Sequence, residues 1–151
     1  MSTRCYIGVE KPDKAVQFIY CHHDGYPAGV GKMLIENYDT PEKIDQLMAL
    51  GDLSSLGPEP VDNPEGWSGT YYFGDAWKDD KSCISYRGRG DTDCNAREVK
   101  SILDYRDAVR GSDADFAYIN KEGKWYLLSL NSSEEPELKG IYYRKKVEKD
   151  V

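Results

Sequence analysis

Two stretches near the start of the chain, Cys5 to Val9 and Ala15 to Cys21, are built from strand-forming residues. Between them lies Lys11-Pro12-Asp13-Lys14, whose proline presets the first position of a turn. The pattern predicts a β-hairpin, and its second strand constrains the fold more than any other feature. Val16, Phe18 and Tyr20 alternate onto one side of it and Ile19 and Cys21 onto the other. A strand that is apolar on both sides belongs inside a sheet.

The 151 residues suffice for one domain with a core that needs no disulfide or metal staple. With 39% hydrophobic, 31% charged and 12% aromatic residues, the composition excludes a disordered tail, and no apolar run reaches membrane-spanning length. Four cysteines, Cys5, Cys21, Cys83 and Cys94, include no C-x-x-C pair. The opening Met1-Ser2-Thr3-Arg4-Cys5 lacks the apolar core of a secretion signal, so the expectation is a cytoplasmic chain with free thiols.

Beyond the hairpin, Val30, Met33, Leu34 and Tyr38 recur at helical spacing, and Thr40-Pro41 supplies an N-cap and first helical residue for a second helix that Gly51 stops. Residues 52–70 read as a long Pro- and Gly-rich loop. Ser82 to Arg87 reads as a strand, and Ala96 to Val109 as a helix capped by Asp93 or Asn95. Asp115 to Asn120 and Trp125 to Leu130 form a hairpin across Lys121-Glu122-Gly123-Lys124, and Ile141 to Val147 offers one more strand. No linker divides the chain. Together these elements predict a single α+β domain over residues 1–151, an antiparallel sheet with two to three helices on one face.

Candidate sites lie in three places. His22-His23-Asp24 at the end of the second strand offers imidazoles beside a carboxylate, the residue types of a general base. Adjacency in sequence alone does not supply the orienting geometry of a dyad. A metal shared by Cys21 and His23 lacks usual ligand spacing, so neither metal nor cofactor is expected. Gly29, Gly31 and Lys32 open the following helix, where backbone amides and an ammonium suit an anion. The stretch has neither the spacing nor the Ser or Thr of a P-loop. Its glycines equally suit close packing of helix on sheet. Arg87 and Arg89, with Gly88 between them, suit phosphate or carboxylate, and with Gly29, Gly31 and Lys32 would make a composite anion pocket. Paired to nearby acids, they would instead finish an edge strand. Tyr71 and Trp77, beside the long loop, are candidates to stack on a base or simply to fill the core.

The formal charge of −7 is not spread evenly. Residues 33–66 hold Glu36, Asp39, Glu42, Asp45, Asp52, Glu59, Asp62 and Glu65 against the single base Lys43, so this stretch alone carries the whole of it. Such a segment disfavours direct nucleic-acid binding and suits a partner with a basic surface.

Thr3-Arg4 leading a strand, the Asp24-Gly25-Tyr26-Pro27 turn, Gly29-Val30-Gly31 and the late Asp113-Ala114-Asp115-Phe116-Ala117-Tyr118 resemble a family of small uncharacterised proteins carried by bacteriophages and prophages. The likeness covers the first 40 residues and residues 113–130. It implies a viral source and a host-cytoplasmic setting and carries no reaction. The leading expectation is a phage accessory or anti-defence protein that binds, either masking a basic host protein or sequestering a phosphorylated, nucleotide-like small molecule. The alternatives are a small hydrolase or nuclease using His22, His23 and Asp24, and a structural or assembly role in the virion.

Overall fold

The computed structural model describes residues 3–62, 81–131 and 138–141. The predicted hairpin forms from β1 (Cys5–Glu10) and β2 (Val16–Cys21), in register from Cys5 opposite Cys21 to Glu10 opposite Val16. Its turn is closed by the Lys11 amide donating to the Ala15 carbonyl at 2.7 Å and the Ala15 amide to the Asp13 carboxylate at 3.1 Å. β2 is internal, as its two apolar sides require. β1 lies on one edge of it, while the other edge is shared by β3 (Leu53–Ser55), parallel at Cys21, and β5 (Arg97–Val99), antiparallel along Val16 to Phe18.

The fold is α+β, built among the described residues on one mixed sheet of eight strands in the order β4-β3-β2-β1-β6-β7-β8, with β5 beside β2. β4 is Ile84–Ser85, β6 Phe116–Lys121, β7 Lys124–Leu128 and β8 Leu138–Lys139. Two features differ from the sequence expectation. The sheet is not wholly antiparallel, because β6 runs parallel to β1 and β3 parallel to β2 after helical crossovers. The helices also divide between both faces. α1 (Lys32–Asn37) and α2 (Pro41–Leu50) bury Leu34, Ile44, Leu47 and Met48 against Ile7, Ile19 and Tyr118, whereas α3 (Ile102–Arg110) buries Tyr105 and Val109 against Phe18, Ala117 and Ile119. Strands apolar on both sides leave neither face to water, so both need a helical layer.

Local chemistry sets the helix ends. α1 follows a π-helical turn, Pro27–Gly31, and α2 begins where the Thr40 hydroxyl accepts from the Lys43 amide at 3.3 Å. α2 stops at Gly51, whose φ of +78° favours glycine and where a methyl group would collide with the Cys94 carbonyl.

Three expectations need correction. The expected loop from residue 52 contains β3, since beyond Gly51 the chain returns to β2 and its backbone groups need partners there. The part from 63 lies outside the described residues. The helix expected from Ala96 starts at Ile102 with Ser101 as its cap, because Arg97 to Val99 are drawn into the free edge of β2 as β5. The strand expected over Ser82 to Arg87 is limited to β4 and gives way to a 3-10 turn, Arg87–Arg89. Of the strand expected over Ile141 to Val147, Ile141 packs on the core and residues 142–147 lie outside the described residues; the last described strand is β8.

Candidate functional site

At the end of β2 the backbone keeps its ladder with β3: the His22 amide donates to the Leu53 carbonyl and the His23 amide to that of Ser54, both at 3.0 Å. The two imidazoles meet edge to face, 4.7 Å between centroids. His22 Nδ1 lies 2.7 Å from the Tyr20 hydroxyl, and burial, followed by the charges of His23 and Arg4, lowers the His22 pKa. His23 Nδ1 sits 2.9 Å from the Ser54 carbonyl oxygen. A carbonyl only accepts, so Nδ1 carries the proton and Nε2 of the neutral ring keeps the lone pair.

The next residues form a tight turn. Asp24 adopts φ 59°, and its carboxylate accepts from the Tyr26 hydroxyl at 3.1 Å while its carbonyl accepts from the Val30 amide at 2.9 Å. Gly29 passes so close to the Asp24 carbonyl that any side chain would clash with it. Beyond the turn a cleft of about 440 Å³ opens between α1 and the segment after β3, lined by His23, Asp24, Gly29, Lys32, Glu36 and Ser55 among others. His23 and Asp24 thus border one cleft without forming a dyad, because Ser54 orients the imidazole and Tyr26 takes the carboxylate. Among the described residues, Lys32 is the one Lys or Arg lining the cleft and faces the competition of Asp24 and Glu36.

The composite anion pocket does not form from the described side chains. Arg87 lies at the other end of α2, where its guanidinium donates to the Ala49 carbonyl at 2.8 Å and to the Asn95 side-chain oxygen. A guanidinium is favourable there because the last carbonyls of a helix lack partners. Gly31 is buried against Tyr118 and Ile141 and is not among the residues that line this cleft. The side chain of Arg89 and all of Tyr71 and Trp77 lie outside the described residues.

The acidic stretch separates into two sets. Asp52 is buried: both its oxygens accept from Arg97, at 2.9 and 2.7 Å, and one also accepts from the Tyr20 amide at 2.9 Å. Asp62 accepts from the Ser85 amide at 2.9 Å and the Ser85 hydroxyl at 2.5 Å. These two carboxylates are therefore structural and are not part of an acidic docking surface. Glu36, Asp39, Glu42, Asp45 and Glu59 are exposed, while Glu65 lies outside the described residues. Among the described residues Lys43 makes no ion pair with them; its ammonium donates to the Pro58 carbonyl at 3.0 Å and lies over the Tyr38 ring. Among the described residues, the ion pair of the exposed set is that of Asp45 with Lys11, at 3.9 Å.

Comparisons with family models, with curated proteins and with solved structures find no match to this chain. What the sites can do therefore rests on their geometry.

A second cleft, of about 340 Å³, lies among the β1–β2 turn, the start of α2 and the β6–β7 turn. Glu10, Lys11, Asp39, Asp45, Asn120 and Glu122 contribute its polar lining. Sequence reading missed Glu10 and Asn120. The signal was present in β6, where the period of two puts Asn120 on the face that holds Phe116 and Tyr118, an amide at a core position. Among the described residues no group of three His, Cys, Asp or Glu side chains could hold a metal ion, and no helix is long and apolar enough to cross a membrane. All four cysteines are free and buried. Burial pushes the Cys83 thiol up to about 11, which leaves it a poor nucleophile at neutral pH.

Proposed function

We propose that this protein acts by binding, and that its α1–α2 side covers a basic surface on a partner protein. One observation carries the reading: Glu36, Asp39, Glu42 and Asp45 are exposed along one helix pair while the only base of that stretch, Lys43, is held by Pro58 and Tyr38. Carboxylates that outnumber the bases beside them, Lys11 and Lys43, give a local negative field, which speeds encounter with a positive patch and selects against acidic partners. A partner whose patch normally holds nucleic-acid phosphates would be blocked by it. A phage-encoded, anti-defence setting is consistent with this mode of action and rests on the sequence resemblance alone.

The test uses immobilised protein challenged with a bacterial lysate at low and high salt, beside the triple variant Glu36→Lys/Glu42→Lys/Asp45→Lys. The expected result is salt-sensitive retention of proteins with basic nucleic-acid-binding surfaces, lost in the triple variant, with at least one of them releasing its nucleic acid when soluble protein is added. Retention that ignores the charge reversal overturns the reading.

Sequestration of a phosphorylated small molecule is a second reading, favoured by Lys32 on the wall of the 440 Å³ cleft and opposed by Asp24 and Glu36 beside it. It requires stoichiometric binding of an intact ligand that Lys32→Ala abolishes. A hydrolase using His22, His23 and Asp24 ranks below both, because the only carboxylate of the three is held by Tyr26 rather than by an imidazole.

A further inference from the structure

We infer that the cleft among the β1–β2 turn, the start of α2 and the β6–β7 turn is a pocket for one arginine residue of the partner, its guanidinium among the carboxylates and its backbone carbonyl on Asn120. The inference rests on the acidic-surface reading above and gives that surface a specific anchor. Two independent observations support it.

The first is an unmet donor. Asn120 is only 5% exposed, and its side-chain nitrogen has no hydrogen-bond partner. Buried amides are nearly always paired, so an orphan on the wall of a cleft marks the place of a missing acceptor. The nitrogen is closed to water as the side chain stands, so an incoming carbonyl oxygen supplies the acceptor once the amide turns toward the cleft; a bare cation does not.

The second is the charge and shape of the lining. Among the described residues, Glu10, Asp39, Asp45 and Glu122 border the cleft with Lys11 as the one lining base. The Glu10 carboxylate is 8% exposed and accepts from the Lys121 ammonium at 3.0 Å, which leaves lone pairs unfilled. A guanidinium offers five donors in a planar fork and reaches several carboxylates at once, where an ammonium acts as a point charge. Val9, Pro41 and Ile44 add apolar wall for the methylene stem. At about 340 Å³ the cleft sits at the small end of ligand sites, fitting a side chain with its peptide unit rather than a nucleotide.

The experiment titrates the isotope-labelled full chain with acetyl-Gly-Arg-Gly-amide and with the citrulline analogue, which keeps the shape and loses the charge, while following the side-chain NH2 resonances of Asn120. The expected result is a saturable shift of the Asn120 signals by the arginine peptide, with the citrulline peptide bound at least about tenfold more weakly. Asp39→Asn and Asp45→Asn, both at exposed positions, should each weaken the arginine peptide about threefold. Equal binding of the two peptides, or an Asn120 signal that does not move, overturns the inference. Glu42 does not line the cleft, so Glu42→Lys separates the two levels of the argument. If the peptide fails but retention of basic proteins still falls in Glu42→Lys, the pocket is refuted and the acidic-surface reading stands. If the peptide binds as expected but no basic protein is retained in a charge-dependent way, the pocket stands and the functional reading fails.

Discussion

Asp45 and Asp52 belong to the same acidic stretch and have the same formal charge, yet they act in opposite ways. Asp45 stands exposed on α2, loosely paired with Lys11 at 3.9 Å. Asp52, just past Gly51, is gripped by the Arg97 fork and the Tyr20 amide and so ties β5 to β2. The difference teaches that a run of acids in a sequence measures charge but not surface. Where the backbone turns inward, a carboxylate becomes a connector, and among the described residues of this stretch the acids before Gly51 on the helix pair, with Glu59, remain available to a partner.

Gly51 marks the border between the two regions, and changing it gives the largest expected effect. Gly51→Ala combines an unfavourable φ with a collision at the Cys94 carbonyl and should cost at least about 3 kcal/mol, read as a fall in the denaturant midpoint or as failure to fold. Asp52→Ala comes next. Losing one partner of a fully buried pair costs about 3–5 kcal/mol, but the Arg97 side chain is 42% exposed and water takes up part of the loss. About 2 kcal/mol is expected, and a double-mutant cycle with Arg97→Ala should show a coupling of at least about 0.5 kcal/mol. Asp62→Ala, which removes the carboxylate acceptor of the Ser85 amide and hydroxyl, should cost about 1–2 kcal/mol in the same assay. A loss from Asp45→Ala as large as that from Asp52→Ala would break the comparison; the expected change is within about 0.5 kcal/mol.

A smaller effect sharpens the border from the side of β2. The pKa of His22 is lowered in the folded chain from its usual value of 6.5. Between the two values the unfolded chain binds more protons, so stability rises with pH there. The contribution of His22 is full above 6.5 and is lost as pH falls through the lowered value. Thermal unfolding across this window should therefore show a steeper acid loss in the wild type than in His22→Gln. Equal slopes would remove His22 from the account.

The elements legible in the sequence are those whose signals are local. Pro12 and Asp13 in the first turn, Thr40-Pro41 at the start of α2, Gly51 at its end and Glu122-Gly123 in the second hairpin each act on the backbone within a few residues. β3 and β5 were not legible. Each is three residues long, too short to show a period, and each exists because β2 has an edge whose backbone groups need partners. The sites follow the same rule. His23, Asp24, Gly29 and Lys32 border one cleft because the turn that joins them is local. Arg87 was misjudged because nothing near it in sequence announces the Ala49 carbonyl across the chain. Asn120 needed both its strand period and the knowledge that no acceptor faces it.

The sequence by itself determined that this chain pairs a hairpin with capped helices in an α+β fold and carries its negative charge in one segment. Those properties depend on residue type and short spacing, which water and the backbone read locally. Only the tertiary structure decided that helices cover both faces of the sheet, that Asp52 and Asp62 are connectors, and that Asn120 ends beside an acidic cleft. These outcomes depend on which distant groups come within hydrogen-bond reach, and burial makes that reach decisive: once water is excluded, every polar group must find a partner in the fold or wait for one from outside.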